Sequence, residues 1–509
     1  MSSPFSPSAL ALEIDWSGQF WSEFNYIHNY AMDNSPNGAS VDNTRAIAGG
    51  YYVPGSGSQD ASFQSVFLRV RPKIIVNDNI YIKSEWWLGD PIYSIFGGGL
   101  PYGSDQRQYF SFQSRGSAIS AQRVWGEFLT DIGTFQVGRV PLNWGLGLVW
   151  NNGDGLFSRY MSTGDAIRWI AKFGAFSFVP SVIVNSAGNT ISGACTVTGG
   201  TCIPGAGQGG VVDYSIALKY ENIEDEMEVG VNVIRRFGAA NQDPNGGVLT
   251  PPQTNTTGSA LGTVAVPNAG GINYTVFDFF VKKKFREFSI GAEAPLATGS
   301  AGTGYSAFAV GGEVDWRPSD IWDFHLKSGY APGQPNSSSG TISTYNAFYF
   351  HPNYHIGTIM FNYQLANFAG GQTLNNPGMS ASNLKSPYFN PIVNAAYFSL
   401  GTEIRPWDKW TFRPGVIYAY APNAAAAGSF FFNYWTQQMV NNASGVDQGN
   451  SLGWEVDLGV TFQWDEHFQF NIDTGIFMPG SFYAFSNVPG TPNQQSAVFA
   501  ASARVGVSF

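Results

Sequence analysis

Long stretches of this chain alternate apolar and polar side chains with period two, and no other feature limits its fold so strongly. Leu10, Leu12, Ile14, Trp16, Gly18, Phe20, Phe24 and Tyr26 share one face, while Glu13, Asp15, Ser17, Gln19, Glu23 and Asn25 share the other. Only a β-strand sends successive side chains to opposite faces in this way. Further on, Val66, Leu68, Val70, Ile74 and Val76 oppose Arg69, Arg71 and Lys73. After an Asn77-Asp78-Asn79 turn, Ile80, Ile82, Trp86 and Leu88 oppose Tyr81, Lys83 and Glu85. Two alternating runs joined by a tight polar turn form a hairpin.

Seven more short turns follow, at 131–133, 174–175, 222–225, 284–287, 318–323, 406–409 and 465–467. Between the hairpins lie nine longer connections rich in Gly, Asn, Pro and Ser: 30–61, 90–118, 140–163, 186–210, 237–272, 295–305, 331–391, 421–450 and 479–495. The alternation predicts an all-β chain, an antiparallel transmembrane β-barrel of 18 strands that occupies 1–509 as a single domain. An even strand count with short turns at one rim and long loops at the other is the outer-membrane pattern. A β-propeller would repeat every 40 to 50 residues, roughly, and no such repeat is present.

Composition narrows the choice. Charged residues are only 12% of the chain and aromatic residues 16%, with mean hydropathy near zero. Soluble domains carry roughly 25% charge. No run is long and apolar enough for a membrane helix, and the spread of aromatics excludes disorder. The start shows no signal-peptide pattern, so the sequence reads as a mature form. Cys195 and Cys202 are the only cysteines, and so close a pair fits a small disulfide in an oxidising compartment.

A Lys or Arg at the lipid midplane costs about 2–4 kcal/mol, so the charged face is expected to line the lumen. Residues 62–173 hold 11 of the 26 basic residues. Eight of them fall in expected strands: Arg69, Arg71, Lys73, Lys83, Arg123, Arg139, Arg168 and Lys172. On those strands only Glu85 and Glu127 oppose them. Although the net charge is −10, wall charge sets selectivity in a confined lumen, and this wall predicts passage of anions. The competing expectation is that basic and acidic rows pair across neighbouring strands and only solvate the interior.

Residues 328–384 contain no charged side chain. So apolar a connection, within 331–391, is expected to fold into the lumen as a constriction. The other reading is an extra hairpin turning at His351-Pro352-Asn353, which would raise the count to 20 strands.

The chain ends on Phe499, Ala501, Ala503, Val505, Val507 and Phe509 in alternation. This resembles the C-terminal signal of bacterial outer-membrane barrels, with Phe509 as the aromatic that the barrel assembly machinery recognises. The segment from Arg123 through Gly138-Arg139 to Gly145 resembles a signature of porins and especially of alginate-export-like outer-membrane proteins. That resemblance implies an 18-stranded monomer with an arginine-rich passage, in which Arg139 points inward beside Arg123. Membrane lipid and lipopolysaccharide are the further partners expected in the bacterial outer membrane.

Catalytic and cofactor chemistry is not apparent. His351 and His355 are separated by Pro-Asn, with no carboxylate near them in sequence, so neither a metal nor a cofactor is expected. His28 and His325 have acidic neighbours but no nucleophile pattern. Gly97-Gly98-Gly99 lacks the Lys-Ser/Thr of a phosphate loop. No basic surface interleaved with aromatics suggests nucleic acid. The sequence therefore predicts a channel for hydrophilic, anionic solutes rather than an enzyme. The alternative is a plugged structural or attachment barrel whose loops bind a partner.

Overall fold

The computed structural model describes residues 13–29, 61–89, 119–186, 211–238, 272–301, 303–363, 391–433, 438–485 and 495–509, with a few isolated positions and a two-residue hairpin at 197–202 between them. Eighteen antiparallel strands follow one another around a closed sheet. They are β1 (Glu13–His28), β2 (Ala61–Asn77), β3 (Ile80–Leu88), β4 (Ile119–Thr130), β5 (Gly133–Pro141), β6 (Thr163–Phe173), β7 (Phe176–Ser186), β8 (Val211–Asn222) and β9 (Met227–Gly238). The second half comprises β10 (Ile272–Phe285), β11 (Phe288–Ala301), β12 (Gly304–Phe308, continued as Val310–Trp316), β13 (Trp322–Ala331), β14 (Ala395–Trp407), β15 (Trp410–Tyr420), β16 (Ser451–Gln463), β17 (Phe468–Pro479) and β18 (Val498–Ser508). β1 pairs with both β2 and β18, from Gln19 opposite Ser508 to His28 opposite Phe499, and this closes the barrel. Closure leaves no unpaired sheet edge.

All eight short turns lie where the alternation breaks, and side-chain chemistry sets several of them. Asn77 Oδ1 accepts the Asn79 N–H at 2.9 Å, and Asn222 Oδ1 accepts those of Glu224 and Asp225. Asp465 Oδ1 accepts from His467 and Phe468. These are Asx turns, in which a short polar side chain replaces the backbone acceptor.

One expected long connection is different. Over 295–305 the strands run on, with Ser300 opposite Gly304, so only 302 and 303 separate β11 from β12. The small-residue run there serves close approach rather than a loop. Gly299 has φ +140°, and a Cβ on it would lie 2.4 Å from the Asn273 carbonyl oxygen. The strand count stays at 18. Residues 345–363 add no hairpin to the wall; Thr344–Tyr345 makes only a two-residue parallel contact with Gly304–Tyr305.

The outer face is an apolar belt that includes Val124, Ile167, Ile216, Phe279, Leu400, Val456 and Ile476, all exposed. Near the short turns it ends in stacked aromatics. Phe288 lies over Trp316 at 5.7 Å and Trp316 over Phe324 at 5.2 Å, and further round Trp410 meets Phe462 at 4.7 Å. An apolar band bounded by an aromatic girdle is what lipid requires of a barrel exterior. The Phe509 backbone pairs in both directions with Gly18, and its ring covers the space a Cβ on Gly18 would need.

Candidate functional site: a lumen narrowed by two inward connections

The basic residues of β2, β3 and β4 face inward but not as a bare ladder. Arg69, Arg71 and Arg123 converge on Glu85, with N···O distances of 3.4, 2.8 and 3.5 Å. Arg71 and Arg123 also reach Asp154, at 2.6 and 3.3 Å. A one-residue irregularity between Glu85 and Trp86 sets Arg123 directly across from Glu85. Bulges of this kind re-aim side chains. Lys73 pairs with Asp15 at 3.4 Å and Lys83 with Glu127 at 3.0 Å. Glu127 also accepts from Gln136, whose other amide atom takes a bond from Arg168. Lys172 shares the inward parity of Arg168 and is exposed. Cross-strand pairing therefore describes this wall better than the uncompensated row expected from sequence, because Asp15 and Asp154 supply acids from outside the strands first counted.

Arg139 corrects the expectation directly. It lies on the outer face, opposite the exposed Val124, and forms a two-pronged pair with Asp165 at 2.7 and 2.9 Å. Parity is fixed by Val140, which is fully buried in the inner cluster that also holds Leu142 and Ile183. With Val140 inside, its neighbour must point out. Arg139→Gln leaves Asp165 unpaired on the face that Val124 gives to lipid, so it should lower the stability of the barrel in a denaturant titration. It should also leave ion selectivity in a planar bilayer unchanged, whereas an inward Arg139 would make the same substitution shift the reversal potential.

Two connections occupy the lumen. The first, 142–162, joins β5 to β6. Its Leu146, Leu148 and Val149 N–H groups all donate to the Glu293 carboxylate on β11. Gly145, at φ +55°, makes this possible, since a Cβ there would sit 2.4 Å from Glu293 Oε2. Glycines on the inner wall receive the large side chains: Trp144 sits over Gly230, Leu146 over Gly291, Leu148 over Gly311 and Leu156 over Gly506. At its far end the Gly153 and Ser158 carbonyls accept from Arg69, and Arg159 pairs with the buried Glu23.

The second lies within 332–363. Ile359 N–H donates to Glu455 on β16 at 2.7 Å, Met360 N–H to the other oxygen, and Thr358 N–H to Asp457 at 3.1 Å. The two connections meet where His351 N–H donates to the Leu148 carbonyl at 2.7 Å and Asn353 exchanges bonds with the Tyr160 backbone. Burial pushes His351 down to about 3 and His355 to about 4, so neither ring carries charge near neutral pH.

Between these connections and the wall from β13 round to β1 lies a cavity of about 610 Å³. Its lining includes Arg159, Lys327, Arg413 and Arg504 together with Glu23, Glu403, Asp457 and Asp473. Two arginines share one acid here. Arg413 reaches Asp473 at 2.8 Å and Arg504 binds its other oxygen. Both guanidinium side chains are more exposed, at 30% and 23%, than the aspartate at 14%. Sequence reasoning missed Asp154, Arg159, Glu293 and the Arg413–Asp473–Arg504 group. Glycines at inward strand positions were the one available signal for the docking wall.

Cys202 belongs to the short hairpin, and Cys195 lies outside the described residues, so the expected disulfide does too.

No family model matches the chain, and neither does any curated protein. Among solved structures, Pseudomonas aeruginosa OccK9 (OpdG) is 10% identical with a TM-score of 0.48, covering 98% of this chain and 99% of that one. OccK1 (OpdK) of the same organism is 8% identical with a TM-score of 0.47, covering 97% and 98%. OmpT, an outer membrane protein of Vibrio cholerae, is 9% identical with a TM-score of 0.35, covering 97% of each chain. Likenesses this distant add nothing to what the chain's own strand pairing shows, and the alginate-export-like resemblance gains no support from them.

Proposed function

We propose that this chain is a monomeric channel of the bacterial outer membrane that passes small hydrophilic solutes and favours anions. The apolar belt and its aromatic girdle suit a lipid bilayer, lipopolysaccharide being the outer-leaflet neighbour, and the polar cavity suits water and solutes. The observation that carries the anion preference is the Arg413–Asp473–Arg504 group. It presents two partly exposed guanidinium groups that share one recessed carboxylate on the cavity wall. The lining as a whole balances four basic with four acidic side chains, so the preference rests on where this group stands in the confined lumen rather than on a net excess.

The basic residues of β2 to β4 then have a different part. Arg69, Arg71 and Arg123 hold the connection 142–162 through Asp154 and its carbonyls, and so set the width of the passage. Arg413→Gln together with Arg504→Gln should move the reversal potential toward cations. Liposome swelling should be faster with anionic than with neutral sugars of equal size, and the double substitution should reduce that difference. Equal swelling in both proteins would remove the anion preference. No swelling with any solute would favour a plugged structural barrel.

A further inference from the structure

Near the short-turn rim, the neighbouring strands β13 and β14 bring together two side chains of one strand and one of the other, about 80 residues apart in sequence. Asp323, His325 and Glu403 each place a ligand-type atom within 4.8 Å of the other two. Asp323 is buried, and its Oδ1 has no hydrogen-bond partner among the described residues; the His325 Nε2 has none either. These two orphaned atoms face each other at 3.8 Å, too far for a hydrogen bond. Leaving a buried carboxylate oxygen and a ring nitrogen unsatisfied is costly.

The remainder of the histidine is already organised. His325 Nδ1 lies 2.7 Å from Asp315 Oδ1. With Nδ1 as the donor, Nε2 is left with its lone pair directed at Asp323. A carboxylate that orients a histidine through its far nitrogen is the usual support of a metal-binding imidazole. Two ligand atoms on one tetrahedral zinc lie roughly 3.3 Å apart, so a shift of about half an ångström closes the gap. His325 and Glu403 line the cavity, which gives a cation an aqueous approach.

We propose that Asp323, His325 and Glu403 form a binding site for a divalent first-row cation of the Zn²⁺ type at the short-turn mouth of the lumen. Mixed imidazole and carboxylate ligands suit such a cation better than Ca²⁺ or Mg²⁺, which prefer oxygen alone. Arg317 holds the other Asp323 oxygen, at 2.8 Å, and leaves Oδ1 free. Arg405 is the competitor, because it pairs with Glu403 and lies 3.8 Å from Asp323. Metal entry displaces Arg405 from Glu403.

Isothermal titration of ZnCl₂ into the folded, detergent-solubilised full chain tests this, and it reads binding whether or not the barrel conducts. One saturable Zn²⁺ per chain is expected, weakened about tenfold or more by His325→Ala and by Asp323→Asn, in line with the cost of losing a ligand or its support. Arg405→Gln should tighten binding severalfold, an effect that a merely structural role for this cluster would not produce. That variant keeps all three ligands, so it decides the matter if His325→Ala fails to fold. The site is overturned if the folded barrel shows no saturable binding. It is equally overturned if binding is indifferent to His325, Asp323 and Arg405 but lost with the exposed His467→Ala.

Discussion

Glu455→Ala should free residues 357–361 from the wall and raise single-channel conductance severalfold, with larger current noise. The carboxylate is fully buried and is the acceptor for both Ile359 and Met360 N–H groups. Without it two buried donors lose their partner, at about 1–3 kcal/mol each, which offsets much of what burial of Ile359, Met360 and Phe361 contributes to docking. The wall itself keeps its full hydrogen-bond ladder, so thermal unfolding of the barrel should change little. Glu455→Gln keeps one acceptor oxygen and should give a smaller increase. Unchanged conductance and unchanged noise in the alanine variant would show that 332–363 does not narrow the passage.

Glu85→Gln should act on stability and selectivity together. Its carboxylate is 2% exposed between Arg69, Arg71 and Arg123, and an amide leaves these three guanidinium groups with Asp154 as their remaining acid. Breaking a buried ion pair by removing one partner costs about 3–5 kcal/mol. The urea midpoint should fall, and the freed positive charge should move the reversal potential further toward anions. A protein with the wild-type midpoint and selectivity would mean that the cluster neither holds the connection 142–162 nor contributes to the field in the lumen.

The wall was legible in the sequence because strand alternation is a local signal. Every Asx or glycine turn interrupts it where a hairpin reverses, and the inward parity of Arg69, Glu85 and Arg123 follows from counting by two. Two features escaped for physical reasons. Arg139 has outward parity because Val140 packs inside, and Gly138-Arg139-Val140 alone does not say which of the two side chains wins the core. The anchors Glu293 and Glu455 have as partners backbone N–H groups more than 90 residues away in sequence, and backbone donors leave no trace in residue type. The glycines at 230, 291, 311 and 506 did mark the docking surface, but as inward strand positions they read equally well as weak strand residues. The Asp323–His325–Glu403 group was hidden in the same way, since Asp323 beside His325 is unremarkable until β14 brings Glu403 alongside.

The most direct measurement is the reversal potential of the purified wild-type chain in a planar bilayer under a potassium chloride gradient. Stable unit conductance with a reversal potential on the chloride side is the expected result. A silent bilayer containing correctly folded barrel, or a reversal potential on the potassium side, would contradict an anion-favouring channel.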